Sequence, residues 1–124
     1  METDYAALME GLQQAIPFNN HLGIKYLEID AASGVAELPS EPRLLNHVGS
    51  QHAAGMFAAG EAASGGAFLA AFAERMGTIM PLAEGAEIRY KKLAQGPIRA
   101  IATLSADKDA LLAELDEQGR VRFP

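Results

Sequence analysis

The feature that most limits what this chain can fold into is the stretch from Ala53 to Ala73, AAGMFAAGEAASGGAFLAAFA. Of its 21 positions ten are Ala and four are Gly, and Glu61 is the only charge. About 20 apolar residues suffice to span a bilayer. Ala and Gly drive insertion weakly, however, and a carboxylate in mid-segment opposes it. A helix that is apolar all round is instead a buried helix, and small side chains let strands come close to its axis. The stretch predicts a central helix with a sheet packed around it and no membrane span.

The flanking sequence supplies that sheet. Tyr5, Leu8, Met9, Leu12 and Ile16 form one helical stripe, with Thr3 as N-cap and Pro17 closing the segment. LGIKYLEID (Leu22 to Asp30) and GVAEL (Gly34 to Leu38) read as strands joined by the turn DAASG, a hairpin. PSEPRLLNHVGS (Pro39 to Ser50) reads as a loop. Gly65 and Gly66 are expected to end or break the central helix, leaving AFLAAFAER as a second short piece. AEIRYKKLA (Ala86 to Ala94) alternates Ile88 and Tyr90 with charged residues and predicts a half-buried strand. Gln95-Gly96 turns into a further strand, PIRAIATLS. Asp107 to Leu115 predicts a helix capped by Ser105 or Asp107, with Leu111, Leu112 and Leu115 inward. Arg120 to Phe123 would begin another strand. One domain is expected over residues 1–124.

Charge and composition narrow the function. A formal charge of −6 leaves no broad cationic surface for nucleic acid. The absence of cysteine excludes disulfides and thiolate metal sites and fits a reducing compartment. METDYAALME has neither the basic nor the apolar region of a signal peptide, so a cytoplasmic location is expected. His21, His47 and His52 do not fall at metal-ligand spacing, so no metal site is expected. No G-x-S-x-G turn suggests a serine nucleophile.

Glu61 then stands out. A helical Glu61 flanked by Phe57, Ala58, Ala62 and Ala63 is expected to be desolvated on at least one side, and desolvation makes a carboxylate a better base. The alternative is a rim acid that reaches water or pairs across an interface. His52 lies at the start of the same segment, where a capping role competes with a catalytic one. Within one helix the two lie on opposite faces, about 13 Å apart along the axis. They meet only if two such helices lie side by side about a two-fold axis. The unpaired N–H groups of the first helical turn would stabilise an oxyanion there.

Asn46, then His52 at the start of an Ala/Gly helix, then an acid nine residues later, resembles the hot-dog fold acyl-CoA thioesterases of the PaaI-like type. Their pattern runs N…G…HGG, six residues, then Asp or Glu. YKKLAQG also stands where a phrase such as FLRPA..G is common in that family, and the resemblance covers roughly residues 20 to 105. It implies an α+β hot-dog fold, an antiparallel β-sheet wrapped around a long central α-helix, assembled as a homodimer or dimer of dimers. It further implies Glu61 as general base or nucleophile, the Ala53 N–H as oxyanion donor, and His52 and Asn46 near the thioester carbonyl. Ser64 would hold the water or orient the carboxylate, or else simply pack the helix.

This chain departs from the pattern in having Ala53 and Ala54 where the family has paired glycines, which crowds the substrate's approach. The family also continues with another long strand, whereas this chain stops just after Phe123 and interposes a helix at Asp107 to Leu115. The implied substrate is a small acyl thioester of coenzyme A or of a carrier protein, with coenzyme A as part of the substrate and no resident cofactor. Its phosphates would meet Arg89, Lys91 and Lys92, with Arg99 nearby, or these are ordinary cations of a solvated strand. Hydration or dehydration of an acyl thioester and non-catalytic acyl-thioester or lipid binding are the competing functions.

Overall fold

The computed structural model describes residues 2–124. Two short helices come first, α1 (Tyr5–Ala15) and α2 (Pro17–Leu22), followed by the hairpin β1 (Lys25–Asp30) and β2 (Ser33–Leu38). After a loop comes the long α3 (Ala53–Ala71), then β3 (Ile98–Thr103) and α4 (Lys108–Gln118). The strands form one antiparallel sheet in the order β1-β2-β3. The fold is therefore α+β, with a sheet packed on one long helix.

Small residues set the spacing between these two layers. The inward positions of β2 are Gly34, Ala36 and Leu38, facing Ala102, Ala100 and Ile98 across the ladder. Above them lies the buried row of α3, Ala58, Ala59, Ala62, Ala63, Gly66, Ala67, Ala70 and Ala71. At Gly34 the two backbones nearly touch. A Cβ there would lie 2.5 Å from the Ala63 carbonyl oxygen and 2.8 Å from the Ala67 nitrogen. Ile24, Tyr26 and Ile29 close the β1 side of this core.

The outer edge of the sheet is managed by α1. Gln13 accepts from the Tyr26 N–H at 2.7 Å and donates to the Ile24 carbonyl at 2.9 Å, so its side chain takes the place of a neighbouring strand. Met9 and Leu12 of the same helix pack on the core. A second apolar cluster lies at the far end of α3. The rings of Phe68, Phe72 and Phe123 stack at 4.7 to 6.4 Å against Leu111 and Leu115 of α4. Arg75 grips Asp116 with two hydrogen bonds of 2.8 Å, holding the Asp116 carboxyl below its usual range.

Several expectations are corrected. Asp4, not Thr3, caps α1 by accepting from the Ala7 N–H, and Pro17 opens α2 as well as following α1. Gly65 and Gly66 do not interrupt α3. Gly66 is packed against Ile29 and Tyr26, and this burial holds the helix where propensity alone favours a break. α3 is also not enclosed on all sides: Ala53, Ala54, Phe57, Glu61, Ser64 and Gly65 are exposed. Ala86 to Ala94 forms no strand. Its alternation is present, but the segment joins no ladder, and Ile88 and Tyr90 remain half exposed. Residues 120–123 form no strand either, because Phe123 turns into the aromatic stack.

The contact at Gly34 makes a sharp prediction. Gly34→Ala forces backbone apart from backbone and is expected to lower the unfolding free energy by about 3 kcal/mol. Gly11→Ala, within α1 and with nothing inside 4 Å of the new methyl, is expected to raise it by about 0.5–1 kcal/mol. Urea unfolding of both variants checks the pair, and equal effects would refute the close approach.

Candidate active site

The start of α3 is built by the loop that precedes it. Asn46 organises that loop: its Oδ1 accepts from the Val48 and Ser50 N–H groups, both at 3.0 Å. Its Nδ2 donates to Ser50 Oγ at 2.8 Å. Gly49 completes the turn with φ +79°. An Asn that satisfies a turn in this way stiffens the chain just ahead of the helix. The Asn46 side chain is thus committed within its own loop.

Gln51 ties that loop to the rest of the molecule. Its N–H donates to the Ala94 carbonyl at 2.9 Å. Its Nε2 donates to the carbonyls of Pro39 at 3.0 Å and Gly96 at 2.9 Å. The side chain is fully buried, and its Oε1 has no hydrogen-bond partner among the described residues. One amide therefore joins the chain leaving β2, the chain entering β3 and the start of α3.

His52 is the N-cap, with φ −68° and ψ 139°, and its Nδ1 accepts from the Ala54 N–H at 2.9 Å. Accepting at Nδ1 leaves the neutral ring's proton on Nε2, an exposed donor beside the helix start. The first-turn N–H groups of Ala53 and Gly55 have no acceptor among the described residues. His52 thus caps the helix, its carbonyl accepting the first helical bond from Met56. Glu61 falls on the exposed row with Ala54 and Phe57: seven residues from Ala54 return it to the same face, about 10 Å along the axis.

The remaining expected residues separate. The Ser64 hydroxyl donates to the Glu61 backbone carbonyl at 2.8 Å, so it braces the helix and does not orient the Glu61 carboxylate. Arg89 pairs with Glu87 at 3.1 Å, and Arg99 lies 3.7 Å from Glu37. Lys91 and Lys92 are exposed with no ion-pair partner among the described residues. The adjacent Tyr90 reaches the helix start, its hydroxyl donating to the Ala53 carbonyl at 3.1 Å. Tyr90 and Gln51 were not singled out by sequence. An apolar alternation hid the first, and nothing local marks a Gln whose partners lie 12 and 45 residues away.

Among the described residues no cluster of acids and histidines could hold a metal ion, and no helix is long and apolar enough to cross a membrane. No curated protein matches the chain. A Pseudomonas aeruginosa protein of unknown function, described as a probable thioesterase, shares the fold at TM-score 0.81 and 24% identity, over 96% of this chain and 78% of that one. A protein of unknown function from Chlorobaculum tepidum matches at TM-score 0.74 and 16% identity, over 93% and 71% of the two chains. A conserved Pseudomonas aeruginosa protein gives 0.65 and 17%, over 77% and 74%. The shared architecture is the hot-dog type, an antiparallel sheet packed on a long helix. Residues 5–124 match the family described as a domain of unknown function, DUF4442, and the chain belongs to that family.

The cap at His52 is testable by stability alone. His52→Ala removes the acceptor for the Ala54 N–H and is expected to cost about 1 kcal/mol, whereas His52→Asn restores a capping oxygen and most of that loss. Thermal unfolding of the two variants separates a cap from a residue with no structural role.

Proposed function

We propose that the chain hydrolyses a thioester of coenzyme A or of an acyl-carrier protein, at a site completed by a second copy of itself. The observation that carries this reading is Glu61, an acid on the open row of α3 whose other end is a helix start with two unpaired N–H groups. Within one chain the carboxylate is about 10 Å down the axis from those donors, too far for both to act on one carbonyl. Two copies with their α3 rows side by side and antiparallel bring one chain's helix start to the other's Glu61. The row suits such contact, because its residues are small apart from Phe57 and Glu61.

In that arrangement the Ala53 N–H receives the thioester oxygen, with Gly55 N–H and His52 Nε2–H as neighbouring donors. Glu61 of the other copy takes a proton from water as the oxygen of that water adds to the carbonyl carbon. Collapse of the adduct breaks the carbon–sulfur bond, and the thiol leaves with the proton, releasing a carboxylic acid. Direct attack by the carboxylate would give an anhydride that water then opens. Asn46 acts through the turn it holds. Coenzyme A enters as part of the substrate, and its phosphates fall to Lys91 and Lys92, while Arg89 is already engaged by Glu87. The probable-thioesterase description of one structural relative supports the choice of reaction.

Thiol release from a panel of acyl-CoAs tests this, with Glu61→Gln beside the wild type and sedimentation to establish the assembly. The expected result is a dimer whose turnover falls by about 10² or more in Glu61→Gln while its melting temperature is kept. Equal turnover in both proteins would remove Glu61 from the chemistry. No turnover on any substrate, together with a ligand-induced rise in melting temperature, would replace hydrolysis by binding.

A further inference from the structure

Between α3 and β3 runs a stretch with the pattern of a strand and no ladder to join. From 86 to 93, no backbone group takes part in a backbone hydrogen bond among the described residues. Ile88, Tyr90 and Leu93 are large apolar side chains left exposed there. Arg89 donates to Glu87 at 3.1 and 3.3 Å, as residues two apart do on one face of an extended chain. The other face looks toward α3, because the Tyr90 hydroxyl reaches the Ala53 carbonyl. An extended, alternating and unpaired edge is a template for another strand.

The side chains of the segment fit a second copy of itself, in one register. In an antiparallel self-pair the two-fold axis passes through a residue or between two. An axis between residues sets Ile88 against Glu87, Arg89 or Lys91 and mixes the two faces. An axis at Glu87 or Arg89 sets that residue against its own copy, and one at Tyr90 sets Arg89 against Lys91. Like charges directly opposite oppose pairing. With the axis at Ile88, the two isoleucines meet, Glu87 faces Arg89 twice, and Tyr90 covers Ala86.

The same axis suits the open row of α3. The Gln51 N–H bonds the Ala94 carbonyl and Tyr90 bonds that of Ala53, so the segment runs antiparallel to the helix start. From Tyr90 to Ile88 is about 7 Å of extended chain along the helix direction. From Ala53 to Phe57, halfway to Glu61, is about 6 Å of helix. One two-fold axis can therefore pass by both Ile88 and Phe57, and it carries each helix start toward Glu61 of the other copy.

We infer that residues 86–93 are the docking edge between two copies of this chain: they pair as antiparallel strands about Ile88, with Glu87 and Arg89 exchanging partners across the axis. The approach to Glu61 rests on the proposed two-copy site, whereas the strand pairing does not.

The chain has no cysteine, so Ile88→Cys carries its only thiol. Residues that face each other on such an axis have Cα atoms about 4.5–5.5 Å apart, within reach of a disulfide. Mild oxidation is expected to join Ile88→Cys into a covalent dimer at least about tenfold faster than Leu93→Cys, which is more exposed but lies off the axis. By sedimentation, Glu87→Arg is expected to weaken the dimer about tenfold, and adding Arg89→Glu to restore it. A link that forms no faster at 88 than at 93, or a charge swap that fails to restore, overturns the pairing. A monomer at every concentration overturns both the pairing and the two-copy site. Phe57→Cys is expected to link as well, and its failure alone overturns the shared axis. A dimer linked at 88 that hydrolyses no acyl-CoA supports the pairing and counts against hydrolysis alone.

Discussion

Everything in this molecule follows from how closely β2 approaches α3. With an ideal Cβ at Gly34 only 2.5 Å from a helix carbonyl, no side chain larger than hydrogen fits at the centre of the contact. The layers on either side must then be lined with residues that keep backbones near each other, which explains eight Ala and Gly residues on the buried row of one helix. The binding surface gained per residue is small, because alanine buries little area. The core compensates with Ile24, Tyr26, Ile29, Leu38 and Phe72 around its margins. The same contact decides the rotation of α3 about its axis. Once the row through Ala59, Ala63, Gly66 and Ala70 faces the sheet, the row through Ala54, Phe57 and Glu61 faces away from it.

That geometry explains which parts of the fold were legible. The central helix, the hairpin and the strand after Gly96 each carry their pattern within the segment, so periodicity and turn residues located them. Gly65-Gly66 misled because propensity weighs a residue alone, while Gly66 sits against Ile29 and Tyr26 and is held by packing. Ala86 to Ala94 misled for the opposite reason. Alternation describes a segment's readiness to pair, and a strand exists only where a ladder is present to complete it. Phe123 lies at the end of a strand-like run, yet the stack with Phe68 and Phe72 offers its ring more than an exposed edge would.

The candidate site could be named from residue types, whereas the bonds those residues make could not. Glu61 was marked by being the only charge among small apolar residues, and the structure places it on the open row and not within the core. His52 was marked by position, and the structure assigns its Nδ1 to the cap. Asn46 and Ser64 both proved to bond their own backbone surroundings, a habit of short polar side chains that competes with any role toward a ligand. Tyr90 was read only as part of an alternation, and Gln51 escaped notice because its partners are distant in sequence, which a motif cannot encode.

The polar groups at the start of α3 are unusually interdependent. Gln51 joins the exits and entries of two strands to the helix start through three carbonyls. Asn46 shapes the turn before it, and Tyr90 bonds the first helical carbonyl from the far side. The Gln51 and Tyr90 bonds end on backbone carbonyls, and the Asn46 oxygen draws on the Val48 and Ser50 N–H groups, so none of these bonds consumes the Ala53 or Gly55 N–H. The loop therefore stiffens the helix start while leaving its donors open, which is the condition under which a helix terminus stabilises a developing charge without reorganising to do so. The unpaired Gln51 Oε1 belongs to the same logic. An amide whose nitrogen must satisfy two carbonyls cannot also turn its oxygen toward a donor, and the clamp is kept at the cost of that one acceptor.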